Sequence, residues 1–178
     1  MSRPVDQTAN LLGALSLMIA DQMADAMGEA GGSPESGAAA LCALLHFLDR
    51  PGVDLLRQVL GLTSSGTVRL VDRMAGAGYV QRGPGKDGRS TSVTLTEAGR
   101  AAAERVAAAR AGVLEGALAA LPGADREALR RILGTMLVGM MREPGAVRWM
   151  CRLCDTGACR SAAGGCPVGN AARERYLT

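Results

Sequence analysis

Apolar residues return at three- and four-residue steps along most of this chain. Leu11, Leu12, Leu15, Met18, Ile19, Met23 and Ala26 form one such stripe, interrupted only by Gln22, and predict a helix over 6–28. The glycines between 28 and 32 end it, and Ser33-Pro34-Glu35 opens an Ala- and Leu-rich second helix over 36–49. Pro51-Gly52 stops that helix, and a short third one runs over 54–60 to Gly61. Thr63 then stands at an N-cap position beside Ser64 and Ser65, and a fourth helix continues to about Ala77, where Gly78 is placed for a left-handed cap. A short helix, a tight turn at Gly61-Leu62 and a longer helix make the helix-turn-helix pattern, with Leu56, Val59, Leu60, Val68, Val71 and Met74 as its expected seam.

Beyond Gly78 the period changes to two. Residues 79–82 and 91–95 read as strands of a hairpin whose tip, 83–88, is made of turn formers, a "wing" beside the helical pair. Thr96-Glu97 caps a long helix reaching Leu121, with Val106, Val113, Leu114, Ala117 and Leu118 in phase. Pro122-Gly123 breaks it, and a last helix over 125–142 carries Leu129, Ile132, Leu133, Met136, Leu137 and Met140 on one side. The predicted fold class is mainly α, with a two-stranded β wing. The long flanking helices carry more apolar surface than an internal core needs, so part of it is expected to pair with a second copy.

The 178 residues suffice for one domain with a real core. Hydrophobic residues are 48% but aromatics only 2%, so that core must be built from Ala, Leu, Val and Met, which are mostly helix formers. The net charge of +3 is unevenly spread: residues 1–50 hold two basic and six acidic side chains, residues 51–100 seven basic and four acidic. A basic excess on the helix-turn-helix and hairpin suits a polyanion. The apolar run 11–20 is too short to span a bilayer and lacks a basic leader, so a cytoplasmic protein without a membrane partner is expected, its cysteines thiols or metal ligands before disulfides. Enzyme chemistry fits poorly: there is one histidine, no Gly-rich phosphate loop and no Ser/His/Asp arrangement.

The segments LTSSGTVRLVDRM from Leu62, GYVQR from Gly78, DGRS from Asp87 and VTLTEAG from Val93 resemble the MarR family of winged helix-turn-helix transcriptional regulators. The likeness spans roughly residues 10–142 and is most specific over 62–99. It implies a MarR-like domain over 1–143, with a DNA-binding core at 52–99 and dimerisation helices at 6–28 and 97–142; a Cys-rich tail, 144–178, follows. It implies a homodimer on double-stranded DNA, with recognition helix 63–77 in the major groove and Arg89 reaching from the wing into the minor groove, supported by Asp87. Many such proteins are repressors released by a small lipophilic compound, an oxidant or a metal. Elementary chemistry points the same way. Ser64, Ser65 and Thr67 at a helix N-terminus can donate to phosphate or base edges. Arg69 or Arg73 can hold guanine or phosphate, and Lys86 adds charge at the hairpin tip. Asp72 reads as a structural partner rather than a base reader.

Cys151, Cys154, Cys159 and Cys166, followed by Pro167, lie outside the pattern of that family. Four thiolates satisfy tetrahedral zinc, and glycines at 157, 164 and 165 leave a loop able to wrap an ion. An iron–sulfur cluster takes the same ligands, and a trailing proline occurs in ferredoxin-type runs. The expectation is a metal at this four-cysteine site, with zinc ahead of iron–sulfur, and a thiol–disulfide switch as the alternative. Arg148, Arg152 and Arg160 stand near enough in sequence to lower the thiol pKa values. Cys42 and His46, four apart on the second helix, share a face that reads first as core and second as an effector pocket. An interaction scaffold that docks a partner through the cysteine tail is the competing overall reading.

Overall fold

In a computed structural model the described residues are 5–32, 35–46, 48–85, 90–143 and 146–176. The chain forms α1 (Gln7–Gly31), α2 (Glu35–His46), α3 (Val53–Leu60), α4 (Ser64–Gly76), β1 (Val80–Pro84), β2 (Thr91–Leu95), α5 (Glu97–Leu118), α6 (Gly123–Met140), α7 (Ala146–Met150), a 3-10 turn (Ser161–Ala163) and α8 (Pro167–Tyr176). It is a mainly helical winged helix-turn-helix carrying one two-stranded antiparallel sheet.

The core is built from small and medium side chains. Ala38, Leu41 and Cys42 of α2 and Ala102, Ala103 and Val106 of α5 are buried together, and Leu56, Leu70, Val71, Met74, Val80 and Val93 close the cluster from the winged side. Alanines on both α2 and α5 let the two helices approach closely. Only the C-terminal part of α1 joins this core, through Met23, Met27 and Ala30. Leu11, Leu15 and Met18, more than half exposed, form an uncovered stripe. The distal helix α6 stands at 115° to α5 and leaves Ile132, Leu133, Met136, Leu137 and Met140 uncovered as well. No single helix among the described residues is long and apolar enough to cross a membrane.

Several boundaries differ from the sequence reading. α2 ends at His46 rather than 49, and Arg50 takes a positive φ before Pro51. Pro51-Gly52 is more than a stop: Val93 N–H donates to Pro51 O at 2.9 Å and Gly52 bridges Ser92, so this dipeptide is a stub of a third strand on β2. β1 runs on to Pro84, paired with Thr91. α5 ends three residues before Leu121, in a turn. The Cys-rich tail carries α7, the 3-10 turn and α8 among its described residues. α7 lies against α3 and α8 against α6, where Pro167 sits beside Gly134. Leu153 reaches the main core, while Met141, Cys166 and Val168 form a second, smaller one.

Candidate nucleic-acid interface and thiol cluster

Helix α4 is held by both ends and by its buried face. Gly61 ends α3 at φ +66°, the left-handed region where a side chain is strained, and the chain re-enters a helix three residues later, at Ser64. Thr63 caps α4, its hydroxyl accepting from Gly66 N–H at 3.1 Å. Thr67, Leu70, Val71 and Met74 are buried, an i, i+3, i+4, i+7 spacing that fixes which face looks outward. Two expectations are corrected by that phase. Thr67 is fully buried and its hydroxyl donates to Thr63 O at 2.9 Å, so it serves the helix start and cannot meet DNA. Val68, expected in the seam, is 45% exposed; one residue from Thr67, it points some 100° away. The outward face therefore consists of Ser64, Ser65, Val68, Arg69, Asp72 and Arg73, all exposed.

The hairpin stem is fixed to this helix. Arg82 of β1 donates to Asp72 at 2.7 Å, so Asp72 is a brace between helix and wing. The exposed pair contributes little energy but sets an angle. At the far end of the stem Thr96 caps α5, accepting from Gly99 N–H at 3.0 Å, and donates to Gly78 O at 2.6 Å. One threonine thus joins the end of α4 to the start of α5. Gly99 is needed beside it, because a Cβ there would lie 1.7 Å from Tyr79 O. Arg50 Nη2 donates to Pro84 O at 3.2 Å, and the buried Ser92 hydroxyl to the same carbonyl at 3.0 Å, so the stem is gripped from both sides. Neither contact is visible in the sequence, where the stub strand that brings Arg50 here reads only as a break. Lys86, Asp87 and Arg89, the expected wing contacts, lie outside the described residues.

Cys42 and His46 line one small cavity of about 50 Å³ with Ala107, Arg110, Ala111, Leu153 and Asp155. That is room for a water or two and far below what an organic effector occupies. The C-terminal segment fills the space: Thr156 donates to His46 O at 3.0 Å, and Leu153 packs inward. Burial pushes the Cys42 thiol up to about 11, against the pull of the Arg110 charge, which suits an inert core cysteine. A larger cleft of about 490 Å³ lies elsewhere, between α3, the end of α6 and α7, lined by Gln58, Met140, Arg142, Glu143, Trp149 and Met150.

The four remaining cysteines are free thiols gathered by a tight loop. Cys151 ends α7 and Cys154 follows in a turn, its N–H donating to Cys151 O at 2.9 Å. The Asp155 carboxylate accepts from Gly157 and Ala158 N–H at 2.8 and 3.1 Å, and these bonds hold it below the usual carboxylate range. Cys166 opens α8, its Sγ accepting from Gly169 N–H at 3.3 Å. Pro167 is thus the first residue of a helix, a position where its missing N–H costs nothing. The four thiols lie near enough to perturb one another's ionisation. Cys154 is drawn down to about 6, first by the bond from Cys151, with the Arg110 charge and Cys159 assisting against burial. Cys151 is pushed up by that same bond and by burial, and Cys159 is raised by burial first. Among the described residues no three His, Cys, Asp or Glu side chains are already set as a metal cage. By residue type alone the segment carries four sulfur donors, one of them, Cys154, disposed to be thiolate. The cation that favours this thiolate is Arg110 of α5, far off in sequence, and not the segment's own arginines. Arg152, for one, stacks on Trp149 at 4.5 Å and donates to its carbonyl.

No family profile matches the sequence, and no curated protein matches it. Solved structures do. RV1404 from Mycobacterium tuberculosis is similar at 23% identity and TM-score 0.64, over 80% of this chain and 98% of that one. MepR, a transcription regulator of the Staphylococcus aureus multidrug efflux pump MepA, is similar at 15% identity and TM-score 0.63, over 76% and 100%. A MarR-family transcriptional regulator from Silicibacter pomeroyi is similar at 23% identity and TM-score 0.57, over 72% and 89%. The fold is that of the MarR-type winged helix.

Proposed function

We propose that this chain is a homodimeric transcriptional repressor that binds double-stranded DNA, placing α4 in the major groove and the hairpin tip, with Lys86 and Arg89, along the minor groove. The observation that carries this reading is the outward face of α4. Ser64 and Ser65 sit at a capped helix N-terminus, the end that favours phosphate, and Arg69 and Arg73 follow on the same side. Val68 adds an apolar contact of the kind that meets a thymine methyl. The acidic side chain on this face, Asp72, is engaged by Arg82 and so opposes the phosphates less. Uncovered apolar stripes on α1 and α6 supply the surface for a second copy. A metal or redox signal enters through Cys151, Cys154, Cys159 and Cys166, and the cleft beside Trp149 has the volume for a small organic effector.

The test is a binding titration against DNA upstream of the chain's own gene at several salt concentrations. Specific binding with affinity falling steeply as salt rises, and lost in Arg69→Ala, supports the reading. Absence of binding to any duplex, with a partner protein retained on the cysteine segment, supports a docking scaffold instead.

A further inference from the structure

Helix α6 leaves α5 at 115° and turns away from the winged core. The bend is held at one corner, where Arg126 reaches back to Glu115 at 2.6 Å and to the Leu118 carbonyl at 3.3 Å. Among the described residues, the element that packs along α6 is α8. Pro167 sits beside Gly134, Arg175 donates to the Val138 carbonyl at 3.3 Å, and Met141 is buried with Cys166 and Val168. Helix α8 in turn packs on α7, and α7 packs on α3. This line of contacts ends at the turn of the helix-turn-helix, where Trp149 Nε1 lies 3.5 Å from where a Cβ of Gly61 would stand. A cleft of about 490 Å³ separates α3 from the end of α6, and α7 closes one side of it. The main packed route from α6 to the reading helix therefore runs through the C-terminal segment.

Trp149 is the single tryptophan of the chain and is half exposed. It is held in place all the same: the Arg152 guanidinium stacks on its ring at 4.5 Å and donates to its carbonyl at 2.8 Å. Behind it the segment is fastened to the winged core, by Leu153 in the main cluster and by Thr156 donating to the His46 carbonyl at 3.0 Å. A dimer that reads two half-sites must keep its recognition helices one helical turn of DNA apart, about 34 Å, or a multiple of it. That separation depends on the angle between the dimerising helices and each winged unit. We propose that the C-terminal segment is a strut between α6 and the helix-turn-helix, seated on the Gly61 turn by Trp149, and that it fixes the half-site spacing this protein accepts. This rests on the reading of the chain as a homodimer on DNA with α6 in the dimer interface. Trp149 is a positioning residue, acting on the bases only through α4.

The test uses the full-length chain as purified and an operator duplex selected on the wild-type protein, compared with duplexes carrying extra base pairs between the half-sites and with a single half-site. Wild type loses about a hundredfold in affinity or more when the insertion reaches about half a helical turn. Trp149→Ala weakens binding at the native spacing by about tenfold but leaves affinity for the inserted duplexes and for the single half-site unchanged, so spacing discrimination shrinks by the same factor. Trp149→Phe keeps a ring on the turn and restores it. Gly134→Leu gives the same signature from the other end of the strut, because the added side chain must displace Pro167, whose ring lies 3.3 Å from the Cβ position. If Trp149→Ala lowers affinity for one half-site and for the whole operator by the same factor, the residue merely supports the winged unit and the strut is overturned. If both variants discriminate spacing as wild type does, the strut is overturned while the DNA reading stands. If wild type binds no duplex, or binds one half-site as tightly as two, the DNA-bound dimer fails and the strut with it.

Discussion

The winged unit and the C-terminal segment solve opposite problems. From Val53 to Gly99 nearly every feature is determined by neighbours in sequence: Gly61 turns the chain, Thr63 caps α4, Arg82 braces Asp72 ten residues back, and Thr96 joins two helix ends. From Ala146 to Tyr176 the densest chemistry in the chain depends on residues far upstream, namely Arg110, whose charge acts on Cys154, the His46 carbonyl that accepts from Thr156, and Gly134 against Pro167. A local unit of the first kind can be read from its motifs. The partners of the second kind appear only when the chain is folded.

The contrast would break most visibly at Gly99. Its replacement by alanine puts a methyl carbon at 1.7 Å from Tyr79 O, an overlap with backbone that no rotamer relieves. The expected cost is several kcal/mol, in the class of severe strain at a packed backbone, and a fall in Tm of roughly ten degrees or more by calorimetry. A Gly99→Ala protein melting close to wild type would show that the junction is looser than its geometry, and the local account of the winged unit would lose its anchor.

The segment should fail in a different way. Chelation, or Cys154→Ser, is expected to loosen residues 146–176 while leaving α3 and α4 folded, since the winged core has its own buried cluster. Hydrogen exchange with and without zinc measures this. Faster exchange confined to the segment sharpens the contrast; faster exchange in α4 as well makes the four-cysteine site a control on DNA reading, routed through Trp149, whose Nε1 lies 3.5 Å from where a Cβ of Gly61 would stand. An anaerobic spectrum settles the ion: visible absorbance means iron–sulfur, and a colourless protein with metal means zinc.

How much is legible in the sequence follows the same division. The capping residues, the hairpin and the order of the helices can be read there, because each depends on turn chemistry or on period within a few residues. The phase of α4 differs by one position from its pattern, which sets Val68 in the seam and Thr67 on the surface; a threonine can face either way, and only its bond to Thr63 O decides. Cys42 and His46 share a face as their spacing requires, but nothing local shows that Leu153 and Thr156 return to fill the space beside them. Arg69→Ala and Thr67→Val make this correction testable. The first is expected to weaken DNA binding by about 1–3 kcal/mol with the fold intact. The second costs about 1 kcal/mol of stability and leaves affinity nearly unchanged.

Cys42 offers a finer test. Its ordinary value is 9.0, and burial holds the folded thiol protonated up to about 11. Between these values the unfolded chain has lost the proton and the native chain keeps it, so ionisation favours unfolding and stability falls as pH rises through that window. Below 9.0 both states are protonated and the group contributes no slope. In zinc-loaded protein, Cys42→Ala should flatten the alkaline limb of a stability–pH curve, and Cys42 should be the last cysteine alkylated after metal removal.

The smallest effect belongs to the brace between helix and wing. Asp72 and Arg82 are both about half exposed, so their ion pair is screened and Asp72→Ala should change stability by less than about 1 kcal/mol. Its consequence for DNA has two opposing parts. Removing the carboxylate takes a negative charge from the face that meets phosphate and frees Arg82, which raises non-specific affinity and steepens the salt dependence. Removing the brace lets the wing swing relative to α4, so the two elements no longer reach their grooves in register, and specific affinity falls. The ratio of specific to non-specific affinity should therefore drop although total binding does not. Arg82→Ala removes the brace without the gain in charge and should lower both. If Asp72→Ala raises both affinities equally, the pair merely neutralises charge, and the wing is positioned by Thr96 and the Pro51 stub alone.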